Sequence, residues 1–429
     1  MEKITAQKGT KDVLPAESYR WQYLEDALRQ TVAAYGFKEI RLPTFEATEL
    51  FTRGVGETTD VVGKEMYTFN DKGGRSITLR PEGTANTVRA ILEHGLLAEA
   101  LPVRAYYLQS CFRYEKPQSG RLREFHQLGI EMFGAAGPEA DVQIVAAAAA
   151  CIRAAGLTKV ELQLNSIGCP HCRPKYHAAL REYFAGHIGE LCETCRGRLE
   201  RNPLRILDCK SPVCSAIAKG APLMRDYLCE DCRDHFAKVR AGLDNIGIAY
   251  VENPTIVRGL DYYTRTVFEF VHTGAGAQGV VCGGGRYDGL VEQLGGKPTP
   301  GIGFGMGLER LLMVMEAEGV AIPADRTPDL YLCSMGDAAR ALAERIAAAQ
   351  RARGLWAETD VMGRGLKPQM KYANKIGAQY VVVLGEDEVA SGSARLKRMA
   401  DGAEIEISLD ALAQNGLAAV AAGFEKEEA

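Results

Sequence analysis

A triplet of glycines next to a predicted strand is the feature that most constrains the fold of this chain. Residues 266–271 form a β-branched and aromatic run typical of a strand, and the triplet 283–285 follows shortly after it. Three consecutive glycines weaken a strand, so they are expected where a second backbone or a ligand must approach closely. Polar side chains flank this gap: Arg258, Asp261, Tyr262, Tyr263 and Tyr287. The pattern indicates the wall of a binding site, with an ordinary hairpin carrying surface tyrosines as the simpler alternative.

Length and charge limit the class of protein. The 429 residues are too many for one core and predict about three domains, with 46% hydrophobic and 25% charged residues as in ordinary globular proteins. Lys and Arg number 51 against 55 Asp and Glu, so no global basic field attracts nucleic acid, and any such partner needs local patches. Neither a signal peptide nor a membrane span is evident. We therefore expect a cytoplasmic protein whose 12 cysteines are reduced unless they bind metal.

The order of predicted elements separates a small domain at the C-terminal end. Residues 17–35 carry apolar side chains at helical spacing, and a strand over 40–42 ends at Pro43. Further strands are predicted at 77–79, 103–110, 129–133 and 161–167, and a helix over 139–155. After the linker 322–328, strands near 329–334, 355–359 and 379–384 alternate with helices near 337–352 and 366–376. This alternation predicts an α/β domain of parallel type.

Residues 111–131 read as a charged hairpin. Arg113 and Glu115 are expected on one face of its first strand, because side chains alternate along a strand. Residues 117–120 form a turn, and the returning strand presents one face made of Phe125, Gln127, Gly129 and Glu131. A solvated surface hairpin is the alternative interpretation. Two acids, a glutamine and an aromatic ring in register favour a site instead.

Glycine alternates at positions 301, 303, 305 and 307, immediately before a predicted helix. Such a strand is expected to have an open face against which a flat ring could lie. The spacing does not fit a G-x-G-x-x-G dinucleotide loop. Arg310 falls in the first turn of the helix, where the helix dipole disfavours a cation, so we expect an anionic group to hold it.

Together these elements resemble the class II aminoacyl-tRNA synthetases, and their specific residues resemble the histidyl-tRNA synthetase family over nearly the whole chain. The helix and strand that end at Pro43 resemble motif 1 of this class. Residues 112–131 resemble its motif 2, and residues 301–310 resemble its motif 3. Residues 78–84, 258–269 and 283–288 resemble the family's amino-acid loop and its two histidine-specific segments. The resemblance implies an α+β fold with an antiparallel sheet of six or seven strands flanked by helices. It implies four segments that form three domains. Residues 1–167 and 251–321 form the catalytic domain, 168–250 a cysteine-rich insertion domain, and 328–429 an α/β anticodon-binding domain.

The resemblance also implies the chemistry, which is activation of L-histidine with ATP and its transfer to tRNA(His). Activation brings two anions together, so cations must cancel their repulsion at the α-phosphate. Arg113 and Arg258 are the implied catalytic residues, and Mg2+ bridges the outer phosphates near Arg121 and Arg310. The implied ATP-binding residues are Arg113, Glu115, Arg121, Phe125 and Arg310, with adenine between Phe125 and Arg310. The implied histidine-binding residues are Glu82, Thr84, Gln127, Glu131, Arg258, Tyr262, Tyr263 and Tyr287.

Within the histidine site, Glu131 and Tyr263 match the family's imidazole partners, and Glu82, Thr84 and Gln127 lie where the α-amino group is held. An alternative is a non-catalytic relative of this catalytic domain, a regulatory subunit of ATP phosphoribosyltransferase in histidine biosynthesis. Such a protein would bind histidine without needing the ATP-binding arginines or an anticodon domain. The presence of Arg113, Arg121 and Arg310 favours the ligase.

The partners implied by the resemblance are tRNA(His) and a second copy of the chain. For tRNA, the motif 2 loop supplies Gln118, Arg121 and Arg123, and residues 8–10 supply a second contact to the 5′ end. Lys367 and Lys371 recur with Lys375 on one face of a predicted helix in the anticodon-binding domain. A solvated lysine face is the alternative there. Homodimer formation is implied by motif 1.

Eight cysteines between 169 and 232 form four pairs in sequence: Cys169 and Cys172, Cys192 and Cys195, Cys209 and Cys214, Cys229 and Cys232. The spacing from the first pair to the second is that of tandem zinc motifs, whereas the other half is less regular. The family's insertion does not always carry cysteines, so structural zinc is predicted from spacing alone, with free thiols as the alternative and the pairing open. We expect this segment to bury little apolar surface. We also expect metal removal to weaken tRNA use while leaving adenylate formation largely intact.

Overall fold

Glycine-rich strands occupy the middle of the largest sheet. In spatial order this eight-stranded sheet contains Lys38–Glu39, Val103–Phe112, Glu124–Phe133, Gly301–Gly307, Val280–Arg286, Thr264–His272, Val160–Ser166 and Val251–Glu252. The six central strands are antiparallel, as the sequence predicts. A two-residue strand at each edge pairs in parallel with its neighbour. The sheet therefore has eight strands rather than the expected six or seven, and it combines antiparallel with parallel pairing.

The structure is a computed structural model that describes residues 3–56, 59–209, 211–274 and 279–427. The chain divides into two units, Met1–Pro323 and Ala324–Ala429. The large sheet belongs to the first unit.

Helices Pro15–Ala34, Pro138–Ala154 and Leu308–Glu318 contribute to the main core of the first unit. In the first of them, Leu24, Leu28 and Val32 are fully buried at the spacing that predicts a helix. Burial of each such side chain stabilises the fold by roughly 1.5–3 kcal/mol. The alanines of the second helix allow close packing against the first. Among the described residues, no helix is long and apolar enough to cross a membrane.

A three-stranded sheet, in the order Phe45–Ala47, Ser76–Leu79, Tyr67–Asn70, also belongs to this unit. Short helical segments accompany it: Thr48–Val55, Val61–Glu65, Thr84–Glu93, Leu96–Ala98 and Leu290–Gln293. The prediction of a strand over 40–42 is wrong, because the paired residues are Lys38–Glu39 and the chain is irregular as far as Pro43. Arg80 accounts for the irregular segment, since its Nη1 donates hydrogen bonds to the carbonyl groups of Leu42 and Pro43 at 2.8 and 3.1 Å.

The cysteine-rich insertion is helical. It contains Arg173–Ala185, Glu193–Arg201, Pro203–Ile206, Pro212–Ala218, Met224–Tyr227 and Glu230–Asn245. The expectation that it buries little apolar surface is wrong. It has a core of its own in which Tyr176, Leu180, Phe184 and Leu191 pack among the cysteines.

The second unit contains a five-stranded sheet in the order Ala357–Thr359, Leu330–Ser334, Tyr380–Leu384, Ser393–Arg398, Glu404–Ser408. Its helices are Asp337–Arg351, Leu366–Lys375, Glu386–Ser391, Leu409–Asn415, Leu417–Ala421 and Gly423–Glu427. The first three strands are parallel, as predicted, but the last two are antiparallel and were not predicted. A tight turn containing Gly402 joins these last two, and so short a connection cannot return the chain in the parallel sense.

Candidate active site

A cleft of about 930 Å³, counted to its open mouth, lies at the glycine-rich strands of the large sheet. It is lined by most of the residues predicted to bind ATP and histidine: Glu82, Thr84, Arg113, Glu115, Arg121, Phe125, Gln127, Arg258, Tyr262, Tyr263 and Arg310. The fold therefore brings together four segments that are far apart in sequence.

The glycines provide room for side chains of the protein as well as for a ligand. A Cβ atom at Gly283 would collide with the guanidinium group of Arg258. Along the strand Gly301–Gly307, Cβ atoms at the first three glycines would collide with Tyr287, Glu131 and Gln127, in that order. Only Gly307 of these four has no atom within 4 Å of an added Cβ among the described residues. The expected open face is therefore confined to the end of the strand beside helix Leu308–Glu318.

Arg258 lies in this cleft against Glu269. The two side chains form an ion pair and are 20% and 19% exposed. Burial opposes the charge of Arg258, but Glu269 and the nearby tyrosines raise its pKa overall. The guanidinium carbon lies 5.8 Å from the centre of the Tyr263 ring. Sequence reasoning did not assign Glu269 a role, although an acid within the apolar run 266–271 beside a glycine triplet was a usable signal.

Arg113 reaches the cleft from a loop rather than from a strand. The strand Val103–Phe112 ends one residue earlier, so the prediction that Arg113 and Glu115 share a strand face is wrong. The backbone N–H of Arg113 donates to the Arg123 carbonyl at 2.8 Å, and its Nε donates to the Pro81 carbonyl at 2.8 Å. These bonds hold the guanidinium carbon 5.4 Å from the Phe125 ring. Within the described part of the chain Arg113 forms no ion pair, so its charge is available to a ligand.

Two further arginines, Arg121 and Arg310, line the cleft. Arg121 forms an ion pair with Glu115, although the sequence assigned these two residues to different parts of ATP. Arg310 was expected to meet an anionic group. Within the described residues its Nε and Nη1 donate to the carbonyl groups of Gly120 and Val280, at 3.2 and 2.7 Å, and contact with an anionic ligand stays a prediction. Burial and the neighbouring Arg121 lower the pKa of Arg310, so a bound anion would stabilise its charge.

Two buried carboxyl groups lie in or next to the cleft, since Glu82 lines it and Glu131 is hydrogen-bonded to the lining residue Thr84. Glu131 is 1% exposed and accepts hydrogen bonds from Thr84 Oγ1, at 2.7 Å, and from the Tyr287 hydroxyl. Burial raises the pKa of Glu131 to about 8. Glu82 accepts from the backbone N–H groups of Thr84 and Ala85, at 2.6 and 2.8 Å, and burial raises its pKa. Glu131 and Tyr287 are not part of the cleft lining, so they lie behind the residues that face a ligand.

Two residues of the cleft were missed by sequence reasoning. The ring of Tyr107 fills the space where Cβ atoms of Gly83 and Gly129 would lie, and its hydroxyl is 3.4 Å from Glu131. The carboxylate of Glu309 accepts from the backbone N–H of His126 and lies 2.9 Å from its Nδ1 atom. Isolated glycines facing an aromatic strand, and an acid directly after the alternating glycines, were the available signals.

The residues predicted to contact tRNA are placed in two separate regions. In the first unit Gln118 is exposed at the hairpin tip, and Arg123 stacks on Tyr114 with 3.9 Å between its guanidinium carbon and the ring centre. The backbone N–H of Arg123 donates to the Gly9 carbonyl at 2.7 Å, so the N-terminal segment adjoins this hairpin as expected. In the second unit Lys367 and Lys371 are exposed on helix Leu366–Lys375, as is Lys375.

The eight cysteines form two groups whose composition the sequence did not fix. Cys169 and Cys172 lie with Cys229 and Cys232, and Cys192 and Cys195 lie with Cys209 and Cys214. Within each group all four sulfur atoms are within 4.8 Å of one another. The first pair therefore does not share a group with the second pair, as their spacing in sequence suggested. The first pair groups with the fourth, and the second pair groups with the third.

A family model described as histidyl-tRNA synthetase matches residues 9–171 and 177–311, which contain the whole cleft. The chain belongs to the histidyl-tRNA synthetase family. A second model, described as an anticodon binding domain, matches residues 329–415. The histidine–tRNA ligase of Acetivibrio thermocellus is 55% identical over 407 residues, covering 95% of this chain and 98% of that protein.

Solved structures agree with this membership of the histidyl-tRNA synthetase family. Apo histidyl-tRNA synthetase from S. aureus has a TM-score of 0.82 and 38% identity, and the match covers 96% of this chain and 99% of that one. A Bacillus halodurans protein described as an ATP phosphoribosyltransferase regulatory subunit/histidyl-tRNA synthetase has a TM-score of 0.66 at 22% identity, covering 90% and 99% of the two chains. That lower identity shows a shared fold only. The regulatory-subunit alternative is not favoured, because relatives at 54–55% identity over nearly the whole chain are histidine–tRNA ligases.

Proposed function

We propose that this chain is a histidine–tRNA ligase. It activates L-histidine with ATP to histidyl-adenylate, releases pyrophosphate, and then transfers the histidyl group to tRNA(His) with release of AMP. The observation that carries this proposal is the single cleft in which the buried carboxyl Glu82, the tyrosines 262 and 263, and Arg113 and Arg258 face one another, in a chain of this family. The two arginines suit an anionic reaction centre, and the carboxyl and hydroxyl groups suit a polar amino acid.

Activation requires that the histidine carboxylate approach the negatively charged α-phosphate. Arg258, positioned by Glu269, and Arg113, positioned by the Pro81 carbonyl, would clamp the oxygen atoms of that phosphate. Planar guanidinium groups can form two parallel hydrogen bonds to such oxygens, which a lysine cannot do. Charge stabilisation and orientation then account for the rate, and no side chain has to act as a covalent nucleophile.

ATP would occupy the outer part of the cleft. Its adenine ring fits between Phe125 and Arg310 beside Glu115, where Gly307 leaves space. Arg121 would act on the outer phosphates, and it must first exchange its ion pair with Glu115 for those oxygens. Mg2+ belongs to this proposal as the ion that accompanies the phosphates of ATP, and it reduces their charge when bound.

Histidine would occupy the inner part of the cleft. Its α-amino group would be held by Glu82, Thr84 and Gln127, and its imidazole would face Tyr263 with Glu131 behind it. Because the pKa of Glu131 is raised to about 8, this group can both accept and donate a hydrogen bond near neutral pH. A site that forms hydrogen bonds with both ring nitrogens rejects apolar analogues strongly, by roughly 10⁴-fold in comparable enzymes.

The other parts of the chain complete this proposal. Residues 1–167 and 251–321 form the catalytic domain, 168–250 an insertion that carries structural zinc, and 328–429 the anticodon-binding domain. The exposed Gln118 and the adjoining residues 8–10 would contact the acceptor end of tRNA(His), and Lys367 and Lys371 would contact its anticodon arm. A homodimer and a cytoplasmic location are properties expected of this family.

Charging of purified tRNA tests the proposal. With labelled histidine, ATP and Mg2+, the protein should attach histidine to tRNA(His) and not to a tRNA for another amino acid. A folded protein that binds histidine but charges no tRNA would favour the regulatory-subunit function instead.

A further inference from the structure

The sulfur atoms of the cysteine-rich insertion are spaced like the ligands of a tetrahedral metal. Cys169 Sγ lies 3.6 Å from Cys172 Sγ and 3.9 Å from Cys229 Sγ. Cys192 Sγ lies 3.9 Å from Cys209 Sγ in the other group. Four sulfurs at about 2.3 Å from one zinc ion are separated by about 3.8 Å. A disulfide would instead require about 2.05 Å, so these distances fit metal ligands and not S–S bonds.

The backbone around the cysteines favours the thiolate form that metal binding requires. Cys172, Cys192 and Cys229 each stand immediately before a helix, namely Arg173–Ala185, Glu193–Arg201 and Glu230–Asn245. The positive end of a helix dipole stabilises a thiolate. In addition, the Cys229 N–H donates to Cys172 Sγ at 3.1 Å, and the Cys192 N–H donates to Cys214 Sγ at 3.3 Å. Both hydrogen bonds join residues of the same group.

We propose that the insertion binds two zinc ions in nested sites, the outer site formed by Cys169, Cys172, Cys229 and Cys232 and the inner site by Cys192, Cys195, Cys209 and Cys214. Four thiolates close each coordination sphere, so both ions are structural. The outer site joins the beginning and the end of the insertion, because its ligands come from both ends of residues 169–232. The inner site holds the middle of the insertion.

These sites also position the loop that carries Arg258, which we name the arginine–tyrosine loop (residues 258–263). Arg173, which follows the ligand Cys172, donates to the Tyr263 carbonyl. Arg205 is buried, and its Nη1 donates to the Arg258 carbonyl at 2.7 Å. Asn202 Nδ2 donates to Asp261 Oδ1 at 3.1 Å. Asn202 and Arg205 lie between the inner-site ligands Cys195 and Cys209. The inner-site segment therefore contacts residues 258 and 261 of the loop, and the outer-site segment contacts residue 263.

This arrangement changes the expectation from sequence. We expected metal removal to leave adenylate formation largely intact, since the cysteines were placed away from the reaction. The structure connects both sites to the arginine–tyrosine loop through one or two side chains. We therefore infer that loss of zinc lowers the affinity for histidine. This part rests on the proposed function, whereas the two ligand sets do not.

Zinc content tests the two ligand sets without any assay of activity. Protein purified without added metal should contain about two zinc ions per chain. The double variant Cys169→Ser/Cys229→Ser should lose one ion, because both ligands belong to the outer site, and Cys169→Ser/Cys192→Ser should lose both. Sites built from adjacent pairs would give the reverse result and would overturn the nested sets. Iron in place of zinc, or fewer than about one and a half ions per chain, would overturn the proposal as well. Cys333→Ser, a buried cysteine of the second unit, is the control and should keep both ions.

Calorimetric binding of histidine to the zinc-loaded protein tests the connection to the loop. Arg205→Ala should weaken histidine binding about tenfold, as expected for the loss of one buried, charge-assisted hydrogen bond. Arg205→Lys should recover at least half of the affinity, since it can still donate to the Arg258 carbonyl. The control Arg225→Ala, in the same insertion but 66% exposed, should bind normally. Unchanged affinity in Arg205→Ala would overturn the connection. Failure of the unmodified protein to bind histidine would overturn the proposed function, with the zinc counts unaffected.

Discussion

The guanidinium group of Arg258, in the loop before strand Thr264–His272, forms an ion pair with the carboxylate of Glu269 on that strand, and about four-fifths of each side chain is buried. Gly283 lies opposite Glu269 in the sheet, and a Cβ atom at Gly283 would occupy the place of the guanidinium group. Gly283 therefore makes room for a buried arginine at the sheet surface, whereas Cβ atoms at Gly284 and Gly285 would collide with the two adjacent strands. Such an arginine is held in one orientation before any substrate arrives.

Removal of either predicted catalytic arginine should abolish most of the activation rate. Arg258→Ala and Arg113→Ala each remove a charge-assisted contact to the transition state, so histidine-dependent pyrophosphate exchange should fall roughly 100-fold or more. Arg75→Ala is the matched control, because this arginine is 83% exposed and pairs with Asp71 in the turn between two strands of the small sheet. Near-normal exchange in both active-site variants would show that neither Arg113 nor Arg258 contributes to activation.

The stability of the first unit should depend on the protonation of Glu131. Its pKa is raised from 4.5 to about 8 in the folded protein, so between these pH values the folded state holds a proton that the unfolded state lacks. The free energy of unfolding therefore falls as the pH rises through this range, by up to about 1.4 kcal/mol per pH unit. Glu131→Gln cannot lose this proton and should lack this dependence. Urea unfolding of both proteins at pH 5.5 and 7.5 measures it, and parallel changes would show that Glu131 is ionised when folded.

Gln118 should matter for tRNA and not for ATP. It is exposed at the tip of the hairpin, beyond the cleft lining. Gln118→Ala should therefore lower aminoacylation of tRNA(His) far more than it lowers pyrophosphate exchange, since only aminoacylation needs the acceptor end. Gln22→Ala, an exposed glutamine on the first helix, should change neither rate. Equal losses in both assays would place Gln118 in support of the ATP site.

The lysines of helix Leu366–Lys375 should bind tRNA through its phosphates. Lys371→Ala should weaken tRNA(His) binding and reduce its dependence on salt concentration by about one released counterion, with pyrophosphate exchange unchanged. Lys72→Ala, an exposed lysine of the first unit, provides the control. An unaltered salt dependence in Lys371→Ala would indicate that Lys371 is a solvated surface residue that does not contact tRNA.

Local patterns predicted the elements better than they predicted their connections. The helix containing Leu24, Leu28 and Val32 follows directly from apolar spacing, and the central strands follow from β-branched and glycine-rich runs. The irregular segment before Pro43 could not be predicted, because its carbonyl groups are satisfied by Arg80 from a distant part of the chain. The antiparallel strands after Gly392 were missed, since charged residues on their exposed face hid the alternation.

Residue types in the candidate site were readable from the sequence, but their partners were not. Motif similarity placed Arg113, Arg258 and Arg310 in one site, and all three line the cleft. The pairing of Arg121 with Glu115 depends on how the hairpin loop folds back, which spacing does not encode. The nested cysteine groups likewise depend on helix packing, because four pairs in a row are compatible with several arrangements.

Pyrophosphate exchange with each of the twenty amino acids is the most direct test of the central claim. In the proposed site the carboxyl and hydroxyl groups of the cleft bind histidine and its arginines bind the α-phosphate, so we predict exchange with histidine at least roughly 10³-fold faster than with any other amino acid. Exchange with a different amino acid, or no exchange by folded protein supplied with ATP, Mg2+ and histidine, would contradict the account.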